Sequence, residues 1–393
     1  MTARNVPMRG MAMLARLNAA TLVLPTAPPG VSRQSHRDTR AQRGRAIDML
    51  GRPHRHALFL RAGPLLALCL VAIGTVLGNP SAAFADAPAP THGPFRVEIA
   101  NDRTLRDATR GKDVPYRVSY PQEDGQYPVI VFSHGFGGNK DSFTTVSRHW
   151  AGHGYVVIQP THADGLGRGD GDRSAGGPTR GRLRAGGLVA GLNDPDRIAD
   201  RVADLVLILD SLAEIVKANP GLEGRIDAER IGVGGHSFGA YTAMLIGGVT
   251  VDLGGVKDRS FRDQRVTCIL PISAQGTGQQ GLTRASWAGL TIPMMTMTGT
   301  RDQGVGGQGV EWKKEPYTFS PPGSKYLVVI DGANHFSFGG GLGERSSDVT
   351  DVVKLTSTLF WDAFLKDSQT AQDYLQSDHL LEDAGGSYGF ERK

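Results

Sequence analysis

The sequence holds only two cysteines in 393 residues, which excludes a fold built on a framework of disulfide bonds. Cys69 lies in an apolar stretch near the N-terminus, and Cys268 stands alone in an apolar, strand-like run. If the N-terminal stretch is removed, no intramolecular disulfide can form, so the hydrophobic core must supply the stability. We therefore expect Cys268 to be a buried small apolar side chain rather than a reactive thiol.

Long apolar runs are also scarce, and residues 64–77 form a stretch too short to span a bilayer comfortably. Basic residues precede this stretch, and an Ala-x-Ala pattern at residues 83–85 follows it. This order is typical of a secretory signal peptide, and we place the cleavage after Ala85. The mature protein is expected to be secreted or periplasmic, with no stable membrane span.

Lysine is absent from the first 85 residues, where eleven arginines and two aspartates give a net charge of +9. The remaining 308 residues carry a net charge of −5, so the basic character of the whole chain is no argument for a nucleic-acid partner. A signal of conventional length begins at Met49. We therefore interpret residues 1–48 as a mis-called or disordered leader, 49–85 as the signal peptide, and 86–393 as a single domain with a polar C-terminal tail.

Short apolar runs alternate with helical patterns over most of this domain. Runs that are apolar throughout and separated by helices predict an α/β fold, a mostly parallel central sheet with helices on both faces. The first two runs favour an antiparallel start, and functional groups should gather at the carboxyl ends of the parallel strands. The predicted strands lie at residues 95–99, 115–120, 127–132, 155–159, 230–234, 267–272, 292–298 and 325–330, and the predicted helices at 142–153, 195–218, 240–246 and 347–365.

The Gly/Arg-rich loop 165–191 follows one predicted strand and carries five arginines. It leaves a carboxyl strand end, so it could cover a site there as a mobile lid. The alternative is a solvated, disordered insertion. Its arginines are the cations that we expect to be available for binding acidic or phospholipid head groups, because the motifs discussed below contain no lysine or arginine.

Residues 235–239 read Gly-His-Ser-Phe-Gly between an apolar strand and a helical stretch, which is the sequence form of a nucleophile elbow. In this turn a strained backbone lifts the serine hydroxyl clear of the sheet, and the glycines let neighbouring backbones pass. Residues 385–389 match the same pattern in the polar tail, without a preceding strand. The context therefore indicates Ser237 as the nucleophile.

A serine nucleophile needs a base and an acid that orients the base, in the order serine, acid, histidine in α/β-hydrolases. His335 follows the predicted strand 325–330 and is preferred as the base over His379 in the tail. Asp302 closes the loop after strand 292–298 and is preferred as the acid. Asp331, four residues before His335, is interpreted as a turn or capping residue.

A tetrahedral intermediate also needs donors for its oxyanion. The backbone N–H of Phe238, the residue after the nucleophile, is the first candidate, and the N–H of Phe136 in the glycine-rich loop 134–138 is the second. His134 is interpreted as a brace for that loop. Packing or pocket lining is the favoured role for His162 and His236.

The segments at residues 132–138, 150–157 and 235–239 together resemble the α/β-hydrolase family, and within it the bacterial group related to platelet-activating-factor acetylhydrolases. They are more distantly similar to dienelactone hydrolases and polyester-cleaving cutinases. The resemblance implies hydrolysis of carboxylic esters through an acyl-enzyme, with no metal ion or organic cofactor. Ala240 replaces a glycine that is frequent in these relatives, and Ser237 stands where dienelactone hydrolases use cysteine.

Two classes of function follow from this resemblance. The first is a secreted serine hydrolase acting on lipid or short-chain acyl esters, with a polyester as the alternative substrate. The second is a non-catalytic binding protein on a hydrolase scaffold, because a fold does not dictate a function. The presence of a nucleophile, a base, an acid and two oxyanion donors favours the enzyme.

Overall fold

A computed structural model describes residues 92–165, 185–340, 344–383 and 386–393. All of them belong to one compact unit, Leu77–Lys393. The predicted leader, the signal peptide with its cleavage site after Ala85, and the five arginines of the Gly/Arg-rich loop lie outside the described residues. Among the residues described, no helix is long and apolar enough to cross a membrane.

The strands of the described residues are β1 (Val97–Asp107), β2 (Lys112–Pro121), β3 (Tyr127–Ser133), β4 (Val156–Pro160), β5 (Ile226–His236), β6 (Val251–Leu253), β7 (Val256–Arg259), β8 (Val266–Ile272), β9 (Met294–Gly299), β10 (Lys325–Ile330) and β11 (Tyr388–Arg392). Nine of them form one sheet with the order β1-β2-β4-β3-β5-β8-β9-β10-β11. Neighbours from β4 to β10 run parallel, whereas β1, β2 and β11 are attached antiparallel at the edges. The short strands β6 and β7 pair separately.

Helices cover both faces of this sheet, as the apolar runs predict. The helices of the described residues are α1 (Thr144–Gly152), α2 (Ala185–Leu192), α3 (Pro195–Asp210), α4 (Leu212–Ala218), α5 (Phe238–Gly247), α6 (Val310–Phe319), α7 (Glu344–Leu365), α8 (Gln369–Gln376) and α9 (His379–Asp383). On β3, Val129 and Val131 belong to the core cluster that includes α3 and α5, while Ile130 and Phe132 belong to the cluster that includes α1 and α7. The central strands are therefore buried on both sides, which explains why they are apolar throughout.

The helix predicted at residues 195–218 is divided into α3 and α4. Asp194 caps α3 as expected, because its carboxylate accepts hydrogen bonds from the backbone N–H groups at the helix start. Ser211 separates the two helices with φ −106° and ψ 17°. Serine competes for backbone hydrogen bonds and favours helix ends, which accounts for the break.

The polar C-terminal tail and the end of the Gly/Arg-rich loop contain more structure than the sequence patterns predict. Residues 185–192 form α2, and the chain after α7 forms α8, α9 and the edge strand β11. Tyr388 and Phe390 of β11 are buried, whereas Gly389 between them is exposed. This alternation is the period of a strand with one covered face, and it is the signal that a composition-based interpretation overlooks.

A buried charge network ties the N-terminal hairpin to α3. Asp204 is fully buried, and one of its oxygens lies 2.7 Å from the Arg110 guanidinium and 2.9 Å from Lys112 Nζ. Its other oxygen lies 2.9 Å from Nδ1 of His162, which follows β4. A carboxylate in such a place is tolerated only because these donors compensate for its lost hydration.

We predict that Asp204→Asn destabilises the fold by about 3 kcal/mol, because the buried site loses the carboxylate shared by Arg110, Lys112 and His162, although Asp200 still pairs with both cations. The matched control is Asp113→Asn, since Asp113 pairs with Arg106 and both side chains are 60% exposed. That control should cost less than about 1 kcal/mol, as exposed ion pairs do. Urea unfolding of both variants measures the difference, and equal losses would contradict the role assigned to the network.

Candidate active site

Ser237 occupies a strained turn between β5 and α5, with φ 54° and ψ −117°. The turn requires glycine on both sides. A Cβ on Gly239 would lie 1.9 Å from the carbonyl oxygen of Ser133, and one on Gly235 would lie 2.3 Å from that of Gly239. The two glycines therefore allow the backbone contacts that hold the serine in this conformation.

The structure brings Ser237, His335 and Asp302 together in the predicted order. His335 Nε2 lies 3.0 Å from Ser237 Oγ, and His335 Nδ1 lies 3.1 Å from Asp302 Oδ1. His335 stands in the loop after β10, and Asp302 in the turn after β9. Both side chains thus come from carboxyl ends of parallel strands, where the fold class places functional groups.

Asp302 is fully buried and held as a carboxylate by several donors. Thr298 Oγ1 and Ser273 Oγ each donate a hydrogen bond of 3.0 Å to it. Burial raises the pKa of Asp302, but the hydrogen bond from His335, the charge of Lys313 and the Ser273 hydroxyl together outweigh burial and leave the pKa below its usual value. Asp302 can therefore accept from His335 Nδ1–H and orient the ring at neutral pH.

The rejected alternatives have other partners. Asp331 is exposed and accepts a hydrogen bond of 3.1 Å from Thr300 Oγ1, which fits its interpretation as a turn residue. His379 lies on α9, with its Nδ1 3.1 Å from the carboxylate of Glu382. In the second Gly-x-Ser-x-Gly match, Ser387 is exposed and leads into an edge strand rather than following one.

Phe136 and Phe238, the predicted oxyanion donors, lie on the two segments that meet at Ser237. Phe238 is the first residue of α5, a position whose N–H has no acceptor within the helix. A Cβ on Gly135 would lie 3.3 Å from Cβ of Ser237, so the loop that carries Phe136 passes directly beside the serine. The aromatic rings of the two phenylalanines are 6.1 Å apart.

His134 and His162 brace this loop from beneath. His134 Nδ1–H donates to the carbonyl oxygen of Gly135 at 2.6 Å, and its Nε2 accepts the backbone N–H of His162 at 3.0 Å. Burial lowers the pKa of both histidines well below the usual value, so both are neutral. The Arg201 guanidinium donates to Ser133 Oγ and to the carbonyl oxygen of His134, so buried donors fix the loop from two sides.

A second Asp-His-Ser chain exists within this brace. Asp204 contacts Nδ1 of His162, and Nε2 of His162 lies 2.9 Å from Ser133 Oγ. All three side chains are buried, and Ser133 does not line the cleft beside Ser237. This chain therefore lacks access to substrate, and its contacts indicate a structural role.

His236, between the first glycine and the nucleophile, supports the loop that carries the base. Its Nε2–H donates to the carbonyl oxygen of His335 at 2.8 Å. Burial, with a smaller contribution from the neighbouring His335, lowers the pKa of His236 to about 3, so this ring stays neutral. His236 thus acts through packing and one hydrogen bond, as the sequence interpretation favours.

An open cleft of about 1250 Å³ surrounds the serine. Its apolar walls include Phe136, Phe143, Val305 and Phe336, and Phe336 is 82% exposed. Arg301 also lines the cleft, so the expectation that cations near the site come from the Gly/Arg-rich loop alone was wrong. Arg301 lies in the turn that supplies Asp302. The sequence interpretation considered cations only in the loop 134–138, the serine motif 235–239 and the Gly/Arg-rich loop, so it did not include this arginine.

Ser273 and Lys313 contact the acid and are absent from the sequence-based site. Lys313 Nζ lies 3.0 Å from Ser273 Oγ and 3.8 Å from Asp302 Oδ1. Ser273 follows β8, next to the elbow strand, so its position at a carboxyl strand end was a usable signal. Lys313 lies on α6, a helix not predicted from the sequence, and its neighbour Lys314 gives the same sequence signal.

The described residues contain no group of three or more histidine, cysteine, aspartate or glutamate side chains arranged to hold a metal ion. A hydroxyl, an imidazole and a buried carboxylate in one hydrogen-bonded chain can activate an oxygen nucleophile.

Comparisons with known proteins point in the same direction. The family model described as Chlorophyllase matches residues 87–170. Cutinase 1 from Thermobifida cellulosilytica is 25% identical over 261 residues, covering 66% of this chain and 77% of that protein. The cutinase from Thermobifida fusca (strain YX) is 25% identical over 303 residues, covering 74% and 82%. Chlorophyllase-1 from Arabidopsis thaliana is 36% identical over 64 residues, covering 16% and 19%.

None of these matches is a platelet-activating-factor acetylhydrolase or a dienelactone hydrolase, so those resemblances stay predictions. The parallel sheet with helices on both faces, the strained serine turn after β5 and the similarity to cutinases and a chlorophyllase support one assignment. The chain belongs to the α/β-hydrolase family and has cutinase-like relatives.

Proposed function

We propose that this protein is a serine hydrolase that cleaves carboxylic esters through an acyl-enzyme intermediate. The observation that carries the proposal is the continuous hydrogen-bonded chain from Ser237 through His335 to Asp302 at the floor of an open cleft. The similarity to cutinases and a chlorophyllase supports an ester hydrolase. A binding protein on the same scaffold would have no need of this chain.

In the proposed mechanism, Ser237 Oγ attacks the ester carbonyl carbon while His335 Nε2 takes its proton. Asp302 accepts from Nδ1–H and stabilises the imidazolium that forms. The proton then passes from His335 to the leaving alkoxide, which departs as an alcohol. Water attacks the acyl-enzyme with His335 again as the base, and the acid product leaves Ser237 free.

The backbone N–H groups of Phe136 and Phe238 are the proposed oxyanion donors. Each such donor contributes about 3–4 kcal/mol to the stability of the transition state in a well-studied serine protease. The braced loop beneath Phe136 and the helix start at Phe238 support this role, because donors that are fixed before the reaction need no reorganisation. The apolar ring of Phe136 lines the cleft beside these amides and favours a neutral or weakly charged ester over an ionic substrate.

The substrate class is a lipid or short-chain acyl ester. A polyester is the second candidate, favoured by the similarity to cutinases and by a cleft whose wall includes the exposed ring of Phe336. A panel of p-nitrophenyl esters of rising chain length, together with a polyester film, separates these substrates. Acid release from the film would favour the polyester.

We predict that Ser237→Ala lowers kcat for p-nitrophenyl acetate by about 10⁴-fold or more and leaves the fold intact. The nucleophile is lost, and no cavity opens at the turn. His335→Ala should cause a comparable loss, because the members of the chain act as a unit. Ser387→Ala, in the second copy of the motif, is the matched control and should keep full activity. Substantial activity in Ser237→Ala would overturn the mechanism.

Asp302→Asn should lower kcat by about 10⁴-fold, because an amide at this place favours the wrong imidazole tautomer. Asp331→Asn should keep activity within about threefold, since Asp331 contacts Thr300 rather than His335. Steady-state kinetics of the two purified variants, with circular dichroism to check folding, make this comparison. Equal losses would remove the reason for assigning Asp302 as the acid.

We also propose that the protein is exported and cleaved after Ala85, on the sequence pattern of residues 49–85. The mature chain then begins at Asp86 and is acidic. N-terminal sequencing of protein recovered outside the cytoplasm should begin at Asp86, and recovery of the intact leader on that protein would refute the proposed cleavage.

A further inference from the structure

Lys313 is a buried cation behind the acid of the site. Its side chain is 1% exposed and comes from the first half of α6. Its Nζ donates to the carbonyl oxygen of Ser273 at 3.1 Å and lies 3.0 Å from Ser273 Oγ. The Asp302 carboxylate is 3.8 Å away. A lysine is rarely buried so completely unless its charge is compensated.

The hydrogen bonds at Ser273 have one consistent direction. An ammonium group can only donate, so Ser273 Oγ accepts from Lys313 and gives its own proton to Asp302 Oδ1 at 3.0 Å. His335 Nδ1 then faces two acceptors, Ser273 Oγ at 2.8 Å and Asp302 Oδ1 at 3.1 Å. Lys313 therefore fixes the orientation of the Ser273 hydroxyl, whose oxygen is an acceptor, together with Asp302 Oδ1, for the His335 Nδ1–H proton.

We propose that Lys313 is a positioning residue for the base: it orients the Ser273 hydroxyl against the Asp302–His335 hydrogen bond, and its positive charge opposes a second positive charge on the His335 ring. The proposal rests on the proposed function for its kinetic consequence but not for its electrostatic one. Lys313 does not line the cleft, so it acts through Ser273 and Asp302 and not on substrate.

The sign of the electrostatic effect follows from the charges. A cation near the site stabilises the Asp302 carboxylate and opposes the positive charge of a His335 imidazolium. Burial lowers the pKa of Lys313 to about 8 despite the attraction of Asp302. Lys313 is therefore charged throughout the acidic and neutral range, and removing it should make the imidazolium easier to form.

Arg301, which precedes Asp302, lines the cleft together with His335 and keeps its charge in every variant compared below. His236 is neutral, and Glu315 on α6 accepts the backbone N–H of Thr277. Of the elements packed against α6, the short helical turn after Thr283 carries Arg284, which stacks on the ring of Phe319 at the far end of α6. β10 carries Lys325, which donates to the carbonyl oxygen of Gly323. Among the described side chains, Asp302 is the ionic partner of Lys313.

The kinetic test compares Lys313→Met with Lys314→Met, its neighbour on α6, whose ammonium pairs with Glu311 at the surface. In Lys313→Met, the acid limb of the pH profile of kcat/KM should move up by about one pH unit, because a nearby cation is lost. The plateau kcat should fall about tenfold, with KM within twofold. Lys314→Met should match the wild type in the position of the acid limb, in kcat and in KM.

Ser273→Ala separates orientation from charge. It removes the bridging hydroxyl and keeps the ammonium, so kcat should fall while the acid limb stays within about 0.3 pH units of the wild type. If the acid limb moves equally in Ser273→Ala and Lys313→Met, the charge of Lys313 is not the cause, and the proposal is wrong.

A measurement without substrate keeps the proposal distinct from the proposed function. The imidazole Cε1–H signal of His335, assigned with His335→Gln, can be titrated by NMR in the wild type and in both lysine variants. Its midpoint should move to higher pH in Lys313→Met and stay in place in Lys314→Met. An unchanged midpoint in folded Lys313→Met overturns the proposal, whether or not the protein hydrolyses esters. A moved midpoint without Ser237-dependent hydrolysis would leave it standing and refute the proposed function alone.

Discussion

The strained backbone of Ser237 is the constraint on which the site depends. A non-glycine residue in this conformation costs about 1–3 kcal/mol, which the surroundings must offset. The offset comes from backbone contacts of Gly235 and Gly239 and from α5, whose residues are all buried. Because the turn cannot relax without breaking this packing, the hydroxyl is already placed 3.0 Å from His335 Nε2 without substrate. Preorganisation of this kind is the main source of catalytic power in such enzymes.

Two buried polar networks hold the turn from opposite sides. On the β3 side, Asp204 and Arg201 are tied to the loop that presents Phe136. On the β9 side, Ser273 and Lys313 surround Asp302. Both networks place charges where hydration is lost, so each is stable only when every partner is present. The buried cations Arg201 and Lys313 do not line the cleft, whose wall combines apolar side chains such as Phe143 with polar ones such as Asp141 and Arg301.

The sequence predicts this fold well because strands buried on both faces are apolar throughout, and because acid and base follow such strands. That rule admits both Asp302 and Asp331, and the preference for Asp302 comes from the place of Asp331 in the same loop as His335. In the structure Asp302 contacts His335, whereas Asp331 contacts Thr300. The sequence patterns do not predict α6 or β11. In α6, Lys313 and Lys314 give the same local signal, and tertiary packing alone decides which one is buried. In β11, the polar neighbours of Tyr388 hide a strand that forms only by pairing with β10.

The central claim is that His335 activates Ser237 as a nucleophile and that Ser237 becomes acylated during ester hydrolysis. Reaction of the purified protein with a fluorophosphonate, followed by peptide mass spectrometry, tests it most directly, because the probe traps the nucleophile covalently. The account predicts one label per chain, on the peptide that contains Ser237, and loss of labelling in His335→Ala. Ester hydrolysis by a protein that is labelled elsewhere, or that stays unlabelled, would contradict it.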